Sequence, residues 1–301
     1  MNLHRLDLNL LVALDALLTE QNITRAAGRL NLSPSATSGA LARLREYFGD
    51  ELLTQIGRRM VPTPLGESLQ QGVRDCLLHI QATVETRPTF DPATATRNFK
   101  LIMSDYVCSV VMPPALRRLA EEAPHVTIEL IGTYASPWEV LDRGEVDLLV
   151  LPQQHVKEVH PSDVLFEDEY VCVLWKDHPR VGESLSFEQF LELGHVVTRV
   201  GAQQRPPTVD QWFFEKYGHQ RRIEVIAMNF TTAPLLLVGT QRIATMHRRL
   251  AEVFARQLPL RILPTPVPMP RLIEVMQWHR YRDADPGRVW LCHALKAAIE
   301  T

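Results

Sequence analysis

The chain has 301 residues, enough for two or three domains, and its 32 lysines and arginines against 35 aspartates and glutamates give a formal net charge of −3. This weakly acidic balance argues against a general polyanion binder but permits a small DNA-reading unit on a larger neutral body. No apolar run approaches the ~20 residues of a membrane span, and the N-terminus has no signal-peptide pattern, so we expect a cytoplasmic protein without membrane contact.

A leucine-rich helix is predicted near the N-terminus, with Asp7 as its candidate N-cap. Its leucines follow the i, i+3, i+4, i+7 spacing of one buried face, at Leu10, Leu11, Leu14, Leu17 and Leu18. We expect this helix to be the platform that carries the two helices after it.

Residues 22–45 have the pattern of a helix-turn-helix, in which the second helix begins at the N-cap Ser33. Its apolar contacts are predicted at Ala26, Ala27, Leu30, Ala36, Leu41 and Leu44. The polar, partly basic face that remains comprises Ser35, Thr37, Ser38, Ala42, Arg43 and Arg45. Such a helix end suits the DNA major groove. Alanine-rich helix pairs also occur in enzymes, where small residues allow close packing, and this alternative stays open on spacing alone.

Two short extended runs, residues 52–55 and 60–62, flank the tripeptide Gly57-Arg58-Arg59. They predict a hairpin, or wing, whose arginines contact phosphate. A solvated basic turn is the alternative. Residues 1–66 contain seven arginines and no lysine against six acidic residues, so we expect DNA affinity to depend on dimers and on placed contacts.

Thr63 and Pro64 predict the cap and first position of a long helix. Its apolar stripe runs at steps of three and four through Leu65, Leu69, Val73, Leu77, Ile80 and Val84. The stripe could pack on its own domain. Because the helix joins two segments and has little else to cover it, pairing with a second copy is favoured.

The remainder of the chain alternates strands and helices. The first set is predicted as strands at 98–103, 126–131 and 147–151 with helices at 110–123 and 137–143. This βαβαβ order implies a parallel sheet. A second set has strands at 170–175, 195–200, 222–226 and 243–246, and a last strand at 272–277 and helix at 289–299 return to the first half. Two subdomains joined by two crossovers predict a clam-shell with a ligand cleft.

The predicted domains are a winged helix-turn-helix at 1–63, a linker and dimerisation helix at 64–87, a hinge at 88–97 and an effector-binding domain at 98–301. Within the last, subdomain I covers about 98–165 and 267–301, and subdomain II about 166–266.

The helix-turn-helix resembles the signature of LysR-type transcriptional regulators. The matching positions are Ala26-Ala27-x-x-Leu30-x-x-Ser33-x-x-Ala36-x-Ser38-x-x-Leu41-x-x-Leu44, with Phe48-Gly49, Leu52-Leu53 and Thr63-Pro64-x-Gly66. The likeness is closest to the branch of NodD nodulation regulators and salicylate and nitroaromatic regulators. The phrases Asp7-Leu8-Asn9-Leu10-Leu11, Arg43-Leu44-Arg45, Phe90-Asp91-Pro92 and Arg242-Ile243-Ala244-Thr245 indicate that branch.

Two positions depart from the pattern of many family members. Pro34 and Ser35 stand where Gln-Pro is common, so no base contact from glutamine is expected, and Arg45 stands where glutamate is common. The full predicted DNA-binding set is Asn22, Thr24, Arg25, Ser33, Pro34, Ser35, Thr37, Ser38, Ala42, Arg43, Arg45, Arg58 and Arg59.

The resemblance implies a domain like those of periplasmic binding proteins, with the effector in the cleft. The candidate lining residues are Ser104, Asp105, Tyr106, Asp168, Val200, Gly201, Phe230, Thr231, Met246 and Arg249. Salicylate and nitroaromatic regulators carry an arginine that aligns with Arg249, but His247 stands where proline is expected. Asp168 replaces a histidine of some aromatic-acid regulators, which favours a neutral phenol or a flavonoid-like molecule. For Ser104, a plain helix cap is the alternative.

The sequence thus predicts a regulator, activator or repressor, that binds double-stranded promoter DNA as a homodimer or homotetramer and responds to a small aromatic effector. RNA polymerase is left open as a further partner. No catalytic residue, metal or cofactor is expected. The spacing His155-x-x-Glu158-x-His160 is not that of a helical zinc motif and favours a solvated loop, and the four cysteines are scattered. A solute-binding module without DNA binding and an enzyme that uses the cleft are the alternatives.

Overall fold

The computed structural model describes residues 6–57, 59–85, 89–132, 136–199, 212 and 216–300. The chain forms two compact units, called here the N-terminal and C-terminal units, which divide between residues 86 and 87. No helix in these described ranges is long and apolar enough to cross a membrane.

The N-terminal unit is a three-helix core followed by a hairpin and a long helix. Its elements are α1 Asn9–Glu20, α2 Ile23–Leu30, α3 Pro34–Phe48, β1 Leu53–Ile56, β2 Arg59–Pro62 and α4 Pro64–Glu85. The two strands pair antiparallel, with Ile56 opposite Arg59. The element order is that predicted from the sequence. Asp7 accepts the amide of Asn9 (3.0 Å) and so contributes to the cap of α1.

The leucine face of α1 forms the centre of the N-terminal core, where Leu14, Leu17 and Leu18 are fully buried. The first half of the α4 stripe packs against the same cluster, through Leu65, Leu69, Val73 and Leu77. The prediction that this stripe has little else to cover it is therefore wrong for its first half, because α1 lies against it. Only the far end of the stripe is open, with Ile80 40% and Val84 76% exposed.

A buried ion pair fixes α4 to α1. Arg74 contacts Asp15 (Nε–Oδ1 3.3 Å) and donates to the hydroxyl of Thr19 (2.9 Å). Both charged side chains are 13% exposed. Because the partially buried charges satisfy each other, α4 begins as an integral part of the helical core.

The turn before α4 explains why position 66 is glycine. A Cβ atom there would lie 2.4 Å from the carbonyl oxygen of Leu52 and 3.3 Å from Leu18. Leu52 itself has a positive φ of 59°. Its amide donates to Asp50 (2.6 Å), and the same carboxylate accepts the hydroxyl of Thr63 (2.6 Å). The start of α4 is thus locked against the wing.

The C-terminal unit contains two five-stranded sheets. In chain order its elements are β3 Asn98–Ile102, α5 Asp105–Glu122, β4 Thr127–Ile131, α6 Pro137–Asp142, β5 Leu148–Pro152, β6 Ser162–Asp168, β7 Tyr170–Trp175, α7 Phe187–Glu192, β8 Gly194–Thr198, β9 Arg222–Ala227, β10 Arg242–His247, α8 Arg248–Ala255, β11 Leu260–Pro264, β12 Leu272–Gln277 and α9 Pro286–Ala297. Short 3-10 turns lie at Gln153–His155, Ala233–Leu236 and Arg280–Arg282.

The sheet orders are β4-β3-β5-β12-β6 for the first subdomain and β11-β7-β10-β8-β9 for the second. Strands β3, β4 and β5 are parallel, as are β8, β9 and β10, whereas β12 runs antiparallel to β5 and β6, and β7 runs antiparallel to β10 and β11. The chain crosses between the subdomains after β6 and again after β11. The architecture is that predicted, but both sheets are mixed rather than purely parallel.

The differences in the elements have local causes. Strands β6 and β11 were not predicted, since neither alternates strictly between apolar and polar residues. Helix α5 begins at Asp105 rather than at 110, because the Ser104 side chain caps it by accepting the amide of Val107 (3.2 Å). Strand β6 extends to Asp168 and so passes the predicted subdomain boundary at 165/166.

One hydrophobic cluster joins the two sheets, with Phe99 and Leu101 of the first and Val171 and Val173 of the second. The first subdomain is also closed by Arg97, which donates to Asp285 (2.8 and 2.6 Å) and to Asp147 (3.0 Å). Packed apolar side chains therefore lie at the junction between the sheets, where the sequence predicts a ligand cleft.

Candidate DNA-reading surface and effector site

The helix-turn-helix has a sharp cap at each helix start. Asn22 accepts the amide of Arg25 (3.0 Å) at the start of α2, and Ser33 accepts the amide of Ala36 (3.1 Å) at the start of α3. Asn31 and Gly49, with φ of 54° and 64°, end these helices in the left-handed conformation. These residues set the position at which the first turn of α3 emerges.

An exposed polar surface runs along α3 and the start of α2. Its exposed members among the predicted DNA-binding residues are Thr24, Arg25, Ser33, Pro34, Ser35, Ser38, Ala42, Arg43 and, on the wing, Arg59. Asn22 is half-buried by its capping role. Arg58 lies outside the described residues. The exposed side chains at the start of α3 are thus small and uncharged, and Arg43 adds a positive charge further along the helix.

Thr37 corrects the predicted face. It is fully buried, and its hydroxyl donates to the carbonyl oxygen of Ser33 (3.1 Å). Ala36, predicted as buried, is exposed instead. Residues 37, 41 and 44 follow the i, i+4, i+7 spacing, whereas position 36 is turned about 100° away. Thr37 therefore supports the helix and does not belong to the reading surface.

Arg45 is likewise turned inward. Its guanidinium donates to the carbonyl oxygens of Glu51 (2.9 Å) and Leu53 (2.7 Å) and pairs with the Glu51 carboxylate (3.0 Å). These bonds tie α3 to the beginning of the wing. A direct phosphate contact from Arg45 would break them, so its expected place is in positioning the wing.

Arg43 is the cation best placed on α3. Its side chain is 60% exposed, and its one described ion pair joins it to Asp7 (3.2 Å). An exposed pair of this kind contributes little, about 0–1 kcal/mol, so Arg43 can exchange Asp7 for a DNA phosphate or base edge. Arg25 is held by Glu20 (3.4 Å) in a similar exposed pair.

The second candidate site lies where the two sheets of the C-terminal unit meet. Asp105, at the start of α5, accepts the amide of Thr231 (2.7 Å) from the second subdomain. The neighbouring Tyr106 is buried, and its hydroxyl donates to Asp168 (2.6 Å) at the end of β6. Asp168 also accepts the amides of Glu169 (2.8 Å) and Arg249 (3.2 Å). Hydrogen bonds therefore connect five of the predicted lining residues, which are Asp105, Tyr106, Asp168, Thr231 and Arg249.

Aromatic rings surround this carboxylate. The Tyr106 ring stacks on His247, with centroids 4.0 Å apart and planes 21° apart. Phe230 and Tyr170 lie 5.1 and 5.0 Å from the same imidazole, and the Arg249 guanidinium lies 5.2 Å from the centre of Phe166. Burial lowers the pKa of His247 to about 3, so the imidazole is neutral. The site is flat-sided and largely apolar, with one acidic end.

Three functional candidates here were missed by the sequence reasoning. Phe166 and Tyr170 were not singled out because the crossover at the end of β6 was not located. Glu274 on β12 is 3% exposed, and its Oε2 atom has no hydrogen-bond partner among the described residues. Burial, with a contribution from Asp168, raises the pKa of Glu274 to about 8. The sequence signal that could have found it is a glutamate flanked by apolar residues in the run Leu272–Met276.

The other candidates have ordinary structural positions or lie outside the described ranges. Ser104 is the helix cap of α5, which was the alternative for it. Met246 is buried between the sheets. Val200 and Gly201 fall outside the described residues.

The segment that contains His155, Glu158 and His160 was predicted as a solvated loop, but it is only partly exposed. His160 is buried, and its Nε2 atom lies 2.7 Å from Asp142, which also pairs with Lys157 (3.3 Å). His155 and Glu158 are exposed. In the part of the chain that the structure describes, no group of three or more histidine, cysteine or acidic side chains could hold a metal ion.

Comparison with known proteins connects both sites to one family. The family described as "LysR substrate binding domain" matches residues 93–299, and "Bacterial regulatory helix-turn-helix protein, lysR family" matches residues 8–67. Nodulation protein D 1 of Bradyrhizobium diazoefficiens is 44% identical over 286 residues, which cover 95% of this chain and 91% of that protein. Nodulation protein D 1 of Rhizobium meliloti is 44% identical over 291 residues, with 97% and 94% covered.

Solved structures agree over the whole length. A probable transcriptional regulator of Pseudomonas aeruginosa is 30% identical, with a TM-score of 0.66 and 98% of each chain covered. A full-length OxyR variant of the same organism is 16% identical, with a TM-score of 0.71 and 99% and 95% covered, and shows the fold alone.

Proposed function

The chain belongs to the LysR family of transcriptional regulators, and from this premise we propose that it reads promoter DNA with the exposed face of α3 and responds to an uncharged aromatic inducer bound between the two sheets of its C-terminal unit. It acts on DNA as an oligomer and is not an enzyme. Its place of action is the cytoplasm, where the promoter is. We retain residues 64–87 as the dimerisation helix and 88–97 as the hinge.

The observation that carries the DNA-reading role is the capped first turn of α3. Ser35 and Ser38 are exposed beside Arg43, whereas the apolar side of the helix is buried against α1. Small hydroxyl side chains permit close approach to base edges, and one arginine adds a charged contact. With so few contacts per copy, two half-sites bound by two copies are needed for useful affinity.

The aromatic inducer is supported by the composition of the junction. Tyr106, Phe230 and His247 present ring faces, and Asp168 places negative charge at one end. An anionic ring such as salicylate would meet repulsion from Asp168, which favours a neutral phenol or a flavonoid-like molecule.

The proposed mechanism is linkage between two sites. An inducer must displace side chains that pack across the junction, beginning with the Asp105–Thr231 contact. It thereby favours one relative arrangement of the two subdomains. That arrangement changes the spacing of paired N-terminal units and the bend that they impose on promoter DNA.

A gel-shift assay with the divergent intergenic region beside its own gene tests the DNA role. We expect the wild-type protein to shift this fragment and Arg43→Ala to bind it about 10-fold more weakly, since one charge-assisted contact contributes about 1–3 kcal/mol. Arg118→Ala is the matched control, because it removes an exposed, ion-paired arginine from the C-terminal unit. No shift by the wild type at low salt would favour a solute-binding module, and equal weakening by both variants would contradict the role of α3.

A further inference from the structure

Glu274 is the polar group at the sheet junction that the proposed function does not explain. It is nearly inaccessible, at 3% exposed, and its Oε2 atom has no hydrogen-bond partner among the described residues. A buried acceptor left in this state loses its hydrogen bonds to water without replacement, and the loss is larger if the group is charged. Such a cost is characteristic of a group kept for a ligand or a switch.

The strand register places Glu274 beside the acidic end of the inducer site. In β12 it lies opposite Phe166, and Leu272 lies opposite Asp168, so the two carboxyl groups are diagonal neighbours on one face of the sheet. Asp168 already accepts three donors, from Tyr106, Glu169 and Arg249, which is the pattern of an ionised carboxylate. Among the described residues, no such set of donors surrounds Glu274, and its Oε2 atom has no partner.

Among the residues that the structure describes, the titratable and charged groups near Glu274 come from α5, β6, β7 and the start of α8. Asp168 on β6 is acidic. Tyr106 on α5 and Tyr170 on β7 are neutral phenols, because burial raises the pKa of each hydroxyl. The backbone amide of Arg249 donates to Asp168, and its guanidinium lies against Phe166. Strand β5 presents Pro152 opposite Glu274, and the 3-10 turn that follows it ends at the exposed His155. Two buried carboxylates without a cation between them are strongly unfavourable.

We propose that Glu274 is a specificity-determining residue of the inducer site, which keeps its proton, donates it in a hydrogen bond to an oxygen atom of an uncharged aromatic ligand, and rejects aromatic carboxylates. This inference rests on the proposed inducer site and names its ligand class. His247 fits the same role, since its Nδ1 atom is buried and without a partner among the described residues, and its ring lies against Tyr106. An oxygen-bearing aromatic ring would satisfy polar atoms that the protein leaves unpaired.

Flavone has a carbonyl oxygen and no ionisable group, so its binding reports the titration of the protein alone. We would measure its dissociation constant with the full chain by calorimetry between pH 6 and pH 9. Because the pKa of Glu274 is raised to about 8, binding should be constant near pH 6 and about 10-fold weaker at pH 9. Glu274→Gln, which keeps a neutral hydrogen-bonding group of the same shape, should bind flavone with an affinity that does not change between pH 6 and pH 9.

The charge preference is measured with flavone-8-carboxylate and its methyl ester, which differ in charge but little in size. We expect the ester to bind at least about 10-fold more tightly. Equal binding of the two, a flat wild-type pH profile, or the same loss at pH 9 in Glu274→Gln each overturns the proposal. So does an absence of flavone binding to the wild type at pH 6. A gel shift with the same preparation shows separately whether the DNA-reading function stands.

Discussion

Replacing Gly66 with alanine tests whether a close backbone approach fixes this position. The new Cβ would lie 2.4 Å from the carbonyl oxygen of Leu52, and that oxygen already accepts the amide of Thr63 (3.0 Å). The Leu52 amide is held by Asp50 in turn. Neither side of the contact can retreat without breaking a hydrogen bond.

Two effects of opposite sign decide the outcome. In an open helical site, alanine is favoured over glycine by about 1 kcal/mol. Overpacking costs about 1–3 kcal/mol, and loss of one hydrogen bond at the Leu52 turn costs about 1 kcal/mol more. The clash therefore wins, and we expect Gly66→Ala to destabilise the N-terminal unit by about 1–3 kcal/mol.

Gly72 provides the matched control, because it lies on the same helix and an added Cβ meets no atom within 4 Å. Gly72→Ala should stabilise the unit by about 1 kcal/mol. Hydrogen exchange by mass spectrometry on the full chain can follow peptides from α1 and α4. Exchange in Gly66→Ala should be roughly 5- to 150-fold faster than in the wild type. Protection in Gly66→Ala that equals or exceeds that of Gly72→Ala would refute the reasoning.

Two further predictions concern the linker helix and acid stability. Val84 is 76% exposed, so Val84→Glu should dissociate the dimer, as measured by sedimentation, and leave the fold intact. Leu77 packs on the core of the N-terminal unit, so Leu77→Glu should destabilise that unit itself. A wild-type sedimentation coefficient for Val84→Glu would exclude this interface. Burial raises the pKa of Asp285, but the hydrogen bonds from Arg97 outweigh this effect and hold the pKa below 3.8. The ionised carboxylate therefore contributes to folding stability above about pH 4, and this contribution is lost as the pH falls further. Tryptophan fluorescence reports this acid unfolding, because all five tryptophans lie in the C-terminal unit. Asp285→Asn should be less stable than the wild type at pH 7, and its stability should fall less steeply as the pH is lowered. Equal dependence of stability on pH in the two proteins would contradict the role of Asp285.

Much of the fold was predictable because its signals are local. The leucine spacing of α1, the cap Ser33 and the largely apolar strands β7 and β12 depend on neighbouring residues alone. The positions that were misjudged depend on contacts distant in sequence. Arg45 turns inward because the carbonyl oxygens of Glu51 and Leu53 lie within reach, and no periodicity shows where a long cationic side chain ends.

The candidate inducer site illustrates the same limit. Tyr106 and Asp168 are 62 residues apart and meet only through the packing of the two sheets. Their meeting was expected from the family resemblance, but the partner Glu274 was not, because its burial depends on β12 inserting between β5 and β6. The predicted face of α3 was wrong by one position, because the apolar Ala36 was assigned to the buried side and the polar Thr37 to the surface, whereas the Thr37 hydroxyl is buried and bonded to the carbonyl oxygen of Ser33.

The position of β12 in the first sheet also determines when that sheet can form during synthesis. Since β12 occupies the gap between β5 and β6, the first sheet cannot close until the ribosome has synthesised Leu272–Gln277, whereas every strand of the second sheet emerges earlier. Until then β5 and β6 are bare edges, open to association with other nascent chains. A premature stop codon before Leu272 would thus leave the first sheet unclosed, and we expect cellular proteases to degrade the truncated product.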